Sequence, residues 1–174
     1  VNPAIAEVLQ QFGKLDVLIN NAGIPGHAAK INAVNPVEID TLFKTHCSGA
    51  MRCVKAALPF MKDGIRLIIN VTSRFGSTRR YSTGEFANRS ISYSYRIAKA
   101  AQNMFTVSLA QELGSQGFVV CGVHPGRLKT ESGASDANME PAEASERFSD
   151  WIGGLDDRMN GKCFNLEKFE LMEW

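Results

Sequence analysis

Tyr95 and Lys99 stand four residues apart in the run Ser92-Tyr93-Ser94-Tyr95-Arg96-Ile97-Ala98-Lys99-Ala100-Ala101. On a helix that spacing puts both side chains on one face. An ammonium beside a phenol favours the phenolate and lowers a pKa that starts near ~10. Such a pair can give or take a proton near neutral pH. Tyr93 falls on a different face, so Tyr95 alone pairs with Lys99. By itself the pair fits the solvated face of a surface helix at least as well. The elements around it decide between the two readings.

The sequence predicts alternating helices and short apolar strands. Pro3 to Phe12 reads as a helix with a stripe of Ile5, Val8, Leu9 and Phe12, stopped at Gly13. Leu15 to Ile19 reads as a buried strand ended by Asn20-Asn21-Ala22-Gly23. That tetrapeptide is either a plain turn or a strand end whose backbone and amides face a ligand. A Gly/Ala-rich loop follows, with His27 as a solvated residue rather than a ligand. Asn35-Pro36-Val37-Glu38 then sets an N-cap, a first-turn Pro and an acidic third position. Ile39, Leu42, Phe43, Cys47, Met51, Val54, Leu58 and Met61 continue that helix to Lys62, loosened near Pro59. The stripe is long enough to serve a second subunit as well as a sheet.

Arg66 to Ser73 reads as the second strand, with Ser73 at its end, and Arg74 to Ser90 as a long polar loop. Its Arg74, Arg79, Arg80 and Arg89 either read anionic groups or form a solvated face. The Tyr95/Lys99 helix runs through Met104, Phe105, Leu109 and Leu113 to Gly114 or Gly117. Phe118 to Val123 is the third strand, broken by His124-Pro125-Gly126. A flexible stretch from Thr130 to Asn138, a helix from Pro141 to Ile152 and a short strand at Lys162-Cys163-Phe164 complete the pattern. Alternation of this kind means an α/β fold, a parallel sheet with helices on both faces, in one domain over residues 1–174.

Composition narrows the function. The chain has 174 residues, 44% of them hydrophobic and 21% charged, with net charge +1, which gives no reason to expect nucleic acid or an acidic membrane surface as partner. Cys47, Cys53, Cys121 and Cys163 are widely spread and form no CxxC, so buried free thiols in a reducing, cytoplasmic compartment are expected, with no metal site. There is neither a membrane-length apolar run nor a signal-peptide pattern.

Taken together, Asn20-Asn21-Ala22-Gly23 after one strand, Ser73 ending the next, Tyr95 and Lys99 on the following helix and Pro125-Gly126 after the third strand resemble the short-chain dehydrogenase/reductase family. His124-Pro125-Gly126-Arg127-Leu128-Lys129-Thr130, the Glu140-Pro141-Ala142-Glu143 run and a Gly-Lys-Cys-Phe strand before a terminal Trp resemble its carbonyl-reductase-like, C-signal-like branch. The resemblance implies an NAD- or NADP-dependent oxidoreductase interconverting a small carbonyl and an alcohol. Tyr95 would be the general acid or base. Lys99 would hold the nicotinamide ribose and lower the Tyr95 pKa. Ser73 would hydrogen-bond the substrate oxygen. Asn21, Ala22 and Gly23 would line the cofactor ribose. Pro125, Gly126, Leu128 and Thr130 would flank the nicotinamide carboxamide. Ser73 as a strand-end cap and Pro125-Gly126 as a turn are the plainer alternatives.

Two departures stand out. No G-x-x-x-G-x-G loop precedes Asn20, so the resemblance implies a partial Rossmann-type doubly wound sheet. In the family order 3-2-1-4-5-6-7 it would keep strands 4-5-6-7. Roughly 60 residues of βαβαβ would be missing from this expected truncated chain, and the Leu15–Ile19 strand would present an apolar edge. The chain would then be an impaired enzyme or a catalytically silent scaffold acting through association. The long helices are expected to pair it with a second copy. Secondly, His46 stands where the family commonly has an Asn that connects the Lys to solvent. It either relays a proton, adding a step near pH ~6.5, or is a core histidine satisfied by a backbone carbonyl.

Overall fold

The computed structural model describes residues 2–131, 133 and 135–174. The expected flexible stretch includes Ser132 and Ala134, which lie outside them. A five-stranded sheet in the order β1 (Val17–Asn20), β2 (Leu67–Val71), β3 (Val119–His124), β4 (Cys163–Asn165), β5 (Glu170–Met172) forms the middle layer. The first four strands run parallel, with Val17 opposite Leu67, Leu67 opposite Val119 and Gly122 opposite Cys163. The α/β class and the four parallel strands agree with the sequence. β5 was not expected: it folds back antiparallel on β4, with Cys163 opposite Met172. β1 pairs with β2 and with no other strand among the described residues, so it forms one edge of the sheet, and Ile19 on it is 41% exposed.

Side chains alternate across β2 and β3 and so feed two cores. Ile68 and Val120 point to one face, where they meet Val54, Ala57 and Met61 of α3 (Gly49–Ala57) and its exit, and Leu109, Ala110 and Leu113 of α5 (Tyr93–Leu113). Leu67, Ile69, Cys121 and Val123 point to the other face, against Phe148, Trp151 and Ile152 of α6 (Pro141–Gly153). Ile68, Ile69, Val120 and Val123 have no exposed surface, and burying each such side chain contributes about 1.5–3 kcal/mol. α1 (Asn2–Phe12) lies against α3, and α2 (Pro36–Phe43) against α5.

Local sequence explains where these helices begin. The Asn35 side chain caps α2 by accepting from the Val37 N–H at 3.0 Å, with Pro36 in the first turn. Ser92 caps α5 by accepting from the Tyr95 N–H at 3.3 Å. Two expectations are corrected. The helix expected to run to Lys62 with its last turn loosened at Pro59 does end in a 3₁₀ turn at Leu58–Phe60, but it also widens to a π-helix over Lys44–Ser48 between α2 and α3, which was not expected. The polar loop after Ser73 is partly ordered, with a 3₁₀ turn at Arg74–Gly76 and the short α4 (Thr78–Ser82) capped by Ser77. Phe86, 4% exposed, packs edge-on against Phe75 and Tyr81 and anchors that segment.

Candidate active site

Because β1, β2 and β3 are parallel, their carboxyl ends lie along one edge of the sheet. Asn20-Asn21-Ala22-Gly23, Thr72-Ser73 and Pro125-Gly126 leave from that edge, where ligands of open α/β sheets bind. The structure therefore brings the predicted strand-end residues to one side of the molecule. The first turns of α5 carry Tyr95 and Lys99 to the end of β2, since Lys99 Nζ donates to the Val71 carbonyl at 2.7 Å. Gly76 permits this approach. A Cβ there would stand 2.9 Å from Lys99 Cβ and the Lys99 carbonyl carbon, so only a glycine lets the turn after Ser73 lie directly on α5.

Ser73 has two partners. Its hydroxyl accepts from the Phe75 N–H at 3.2 Å, the expected strand-end cap. It also reaches the Tyr95 phenol, whose ionisation it favours. Burial outweighs that bond and pushes the Tyr95 phenol above its usual value. This corrects the expectation that the ammonium would lower it. Lys99 Nζ lies 5.8 Å from the centre of the Tyr95 ring and spends its hydrogen bonds elsewhere, on Val71 O and, at 3.0 Å, on Gln102 Oε1. Lys99 itself is 4% exposed, and burial lowers its pKa from 10.5 to about 7. The site thus holds a protonated phenol beside a hydroxyl, with an amine poised to exchange a proton near neutrality.

His46 sits in the π-helical segment, 1% exposed, with its ring edge-on to Tyr95 at 5.5 Å between centres. Its Nε2 lies 2.9 Å from the Ile24 carbonyl and 3.3 Å from the Ile24 N–H. Its Nδ1 is buried without a partner. Burial first, then the Lys99 charge, lowers its pKa to about 4. Both effects move its titration below the free value near ~6.5, and the geometry shows the ring against a backbone carbonyl. Gly23 makes room for it: a Cβ at Gly23 would fall 2.7 Å from His46 Cε1. π-Widening of this kind recurs at functional sites.

Asn21, Ala22, His46 and Gln102 line a pocket with Asn20, the π-helical segment and Cys53. Pro125 is half-buried, Gly126 is packed on Met139, Leu128 pairs with Met139 in a lone bridge, and Thr130 is exposed. These four stay on the loop leaving β3. Arg74 and Arg89, expected either to read anions or to face solvent, grip Asp136 from that loop, with Arg127 joining them at 3.3 Å. The segment after Ser73 is thereby tied to the segment after Pro125-Gly126.

Sequence reading missed the polar belt behind the site. Asn20 Nδ2 donates to Asn70 Oδ1 at 2.8 Å, and Asn70 Nδ2 to Thr106 Oγ1 at 2.9 Å. Asn103 bonds Thr72 and, at 3.1 Å, the Gly76 carbonyl. The available signal was the run of polar residues Gln102, Asn103 and Thr106 on the inner face of a helix. All four cysteines are free, and no cluster of metal-binding side chains and no helix able to cross a membrane occurs among the described residues.

The residues present fit one end of a nicotinamide nucleotide. Lys99 has one N–H left over after Val71 and Gln102, and Gln102 in turn lines a pocket with Asn20, Asn21 and Ala22. No glycine-rich strand-to-helix loop able to seat a pyrophosphate occurs among the described residues.

Comparison with known proteins gives relatives of the same fold. The family model described as short chain dehydrogenase matches residues 1–141. The C-signal of Myxococcus xanthus is 32% identical over 160 residues, covering 91% of this chain and 93% of that protein. Of several other curated relatives that it matches, the chain spans only about half the length, for example 56% and 50%. Among solved structures, the carbonyl reductase Sniffer of D. melanogaster superposes with a TM-score of 0.88 at 28% identity, over 99% of this chain and 73% of its own. The NADPH-bound carbonyl reductase from chicken fatty liver also gives 0.88, at 25% identity, over 99% and 72%.

Proposed function

The chain belongs to the short-chain dehydrogenase family, and from that premise we propose that it interconverts a small carbonyl compound and its alcohol. The observation that carries the reading is the meeting of Ser73, Tyr95 and Lys99 at the carboxyl end of β2. A nicotinamide cofactor, NAD or NADP, supplies or accepts the hydride when bound. Every other step falls to this chain's own groups. The Tyr95 phenol, kept protonated by burial, donates to the carbonyl oxygen in reduction and takes the proton back in oxidation. Ser73 holds the same oxygen and stabilises the charge that develops on it. Lys99 offers its remaining N–H to the ribose. Asn21, Ala22 and Gly23 line the ribose side, and Pro125, Gly126, Leu128 and Thr130 the carboxamide side. His46 supports Gly23 and the Tyr95 ring as a neutral side chain. The NADPH in the chicken reductase makes NADPH the first cofactor to try.

The finer expectations belong to the same reading. Four free cysteines suit a reducing cytoplasm. Exposed Val37, Met51, Ile97 and Met104 on α2, α3 and α5 suit self-association. A second reading, a silent scaffold or an impaired enzyme, is supported by β1, which pairs only with β2 among the described residues. The test is oxidation of NADPH and NADH with a panel of small aldehydes and ketones. Turnover that falls by ~10²–10⁴ in Tyr95→Phe is expected. Equal turnover in both proteins contradicts the role of Tyr95, and bound cofactor with no turnover favours the scaffold.

A further inference from the structure

Gln102 lies one turn beyond Lys99 on α5 and is 1% exposed. Enclosing an amide is costly unless its polar atoms are used, so an apolar residue would sit there at lower cost. The neighbouring polar residues serve the backbone and the strands: Asn103 bonds Thr72 and Gly76, and the Thr106 hydroxyl bonds Asn70 and the Gln102 carbonyl. The Gln102 side chain instead accepts from Lys99 Nζ at 3.0 Å and borders the pocket beside Asn20, Asn21, Ala22 and His46.

We propose that Gln102 is a positioning residue for Lys99: with Val71 O it pins two N–H groups of the ammonium, so sets the direction of the third, and favours the charged form. An ammonium has three donors in tetrahedral array, so fixing two fixes the direction of the last. A carbonyl-type oxygen bonded to the charged form offsets part of the cost of burial. No other side chain among the described residues hydrogen-bonds Lys99. The titratable groups facing Lys99 are His46 from the π-helical segment and Tyr95 from its own helix. No carboxylate forms an ion pair with Lys99 among the described residues, and β2 contributes only the Val71 carbonyl. The inference deepens the role given to Lys99 above and rests on that reading for its functional meaning.

The experiment follows the Lys99 side chain by NMR in the whole 174-residue chain with isotope-labelled lysine, its signal assigned by its loss in Lys99→Arg. Removing the acceptor in Gln102→Leu should lower the midpoint of the Lys99 titration by about one pH unit, a roughly tenfold loss of proton affinity. Gln102→Glu, nearly the same shape with a full charge, should raise it by at least as much. Thr106→Val removes a buried polar group that does not touch Lys99 and should leave the midpoint unmoved, which separates positioning from general loosening. If Gln102→Leu does not fold, the Glu variant decides. A midpoint unmoved in Gln102→Glu, or moved in the same direction by Leu and Glu, overturns the proposal. None of these readouts needs turnover, so a chain that reduces nothing yet shows the opposed shifts would fail as an enzyme while keeping Gln102 as the positioner of Lys99.

Discussion

Lys99 carries a stability cost that a single substitution exposes. Its burial lowers its pKa from 10.5 to about 7. At about 1.4 kcal/mol for each tenfold change in proton affinity, that displacement amounts to about 5 kcal/mol between folded and unfolded chains. Below pH 7 both states hold the proton and the folded state bears the whole cost. Between pH 7 and 10.5 the unfolded chain still binds the proton and the folded one releases it, so stability rises with pH. Lys99→Met removes this dependence. It also leaves Val71 O and Gln102 Oε1 without their partner, at about 1–3 kcal/mol each, but that loss does not vary with pH. The informative quantity is therefore the difference in unfolding free energy between the two proteins as pH changes. Urea unfolding followed by the fluorescence of Trp151 and Trp174, with the thiols kept reduced, measures it. From pH ~8 to ~9 the wild type should gain at about 1.4 kcal/mol per pH unit over the variant, with about half that slope at pH ~7. A flat difference, or one that falls, would refute the claim that Lys99 is held near its titration point by burial.

Two further outcomes follow from the same geometry. His46 is lowered to about 4 by burial and by Lys99, so nitrogen NMR should show one neutral form, protonated on Nε2 toward the Ile24 carbonyl, from pH ~6 to ~8; a midpoint near 6.5 would contradict this. Asp136 is held well below the usual carboxylate range by the Arg89, Arg74 and Arg127 guanidinium groups; Asp136→Asn should cost roughly 1–3 kcal/mol at neutral pH, a difference that shrinks in urea unfolding as pH falls below the ordinary carboxylate value of ~4.

Much of the fold was legible because it rests on local rules. The Asn35-Pro36 start and the apolar, partly β-branched runs at Val17, Leu67 and Val119 each follow from a cap and from short buried strand composition. The Tyr95/Lys99 spacing was legible for the same reason, since two side chains four apart on a helix share a face. The π-helix at Lys44–Ser48 was not, because the stripe of Leu42, Cys47 and Val54 reads the same through one widened turn. β5 was too short, at three residues, to show alternation, and it exists through its pairing with β4. α4 depends on Phe86 packing from outside the helix. The direction of the Tyr95 shift was also invisible, since it turns on burial and on Lys99 bonding Val71 and Gln102 instead of the phenol. Gln102 carried a signal, a polar residue three after Lys99, that only the closed interior makes meaningful.

That Ser73, Tyr95 and Lys99 face a nicotinamide site is tested most directly by titrating the chain with NADPH and following the nicotinamide fluorescence. Saturable binding is expected, weakened roughly tenfold or more in Lys99→Met, about 1.4 kcal/mol of binding free energy. No saturable binding, or equal binding by both proteins, would contradict it.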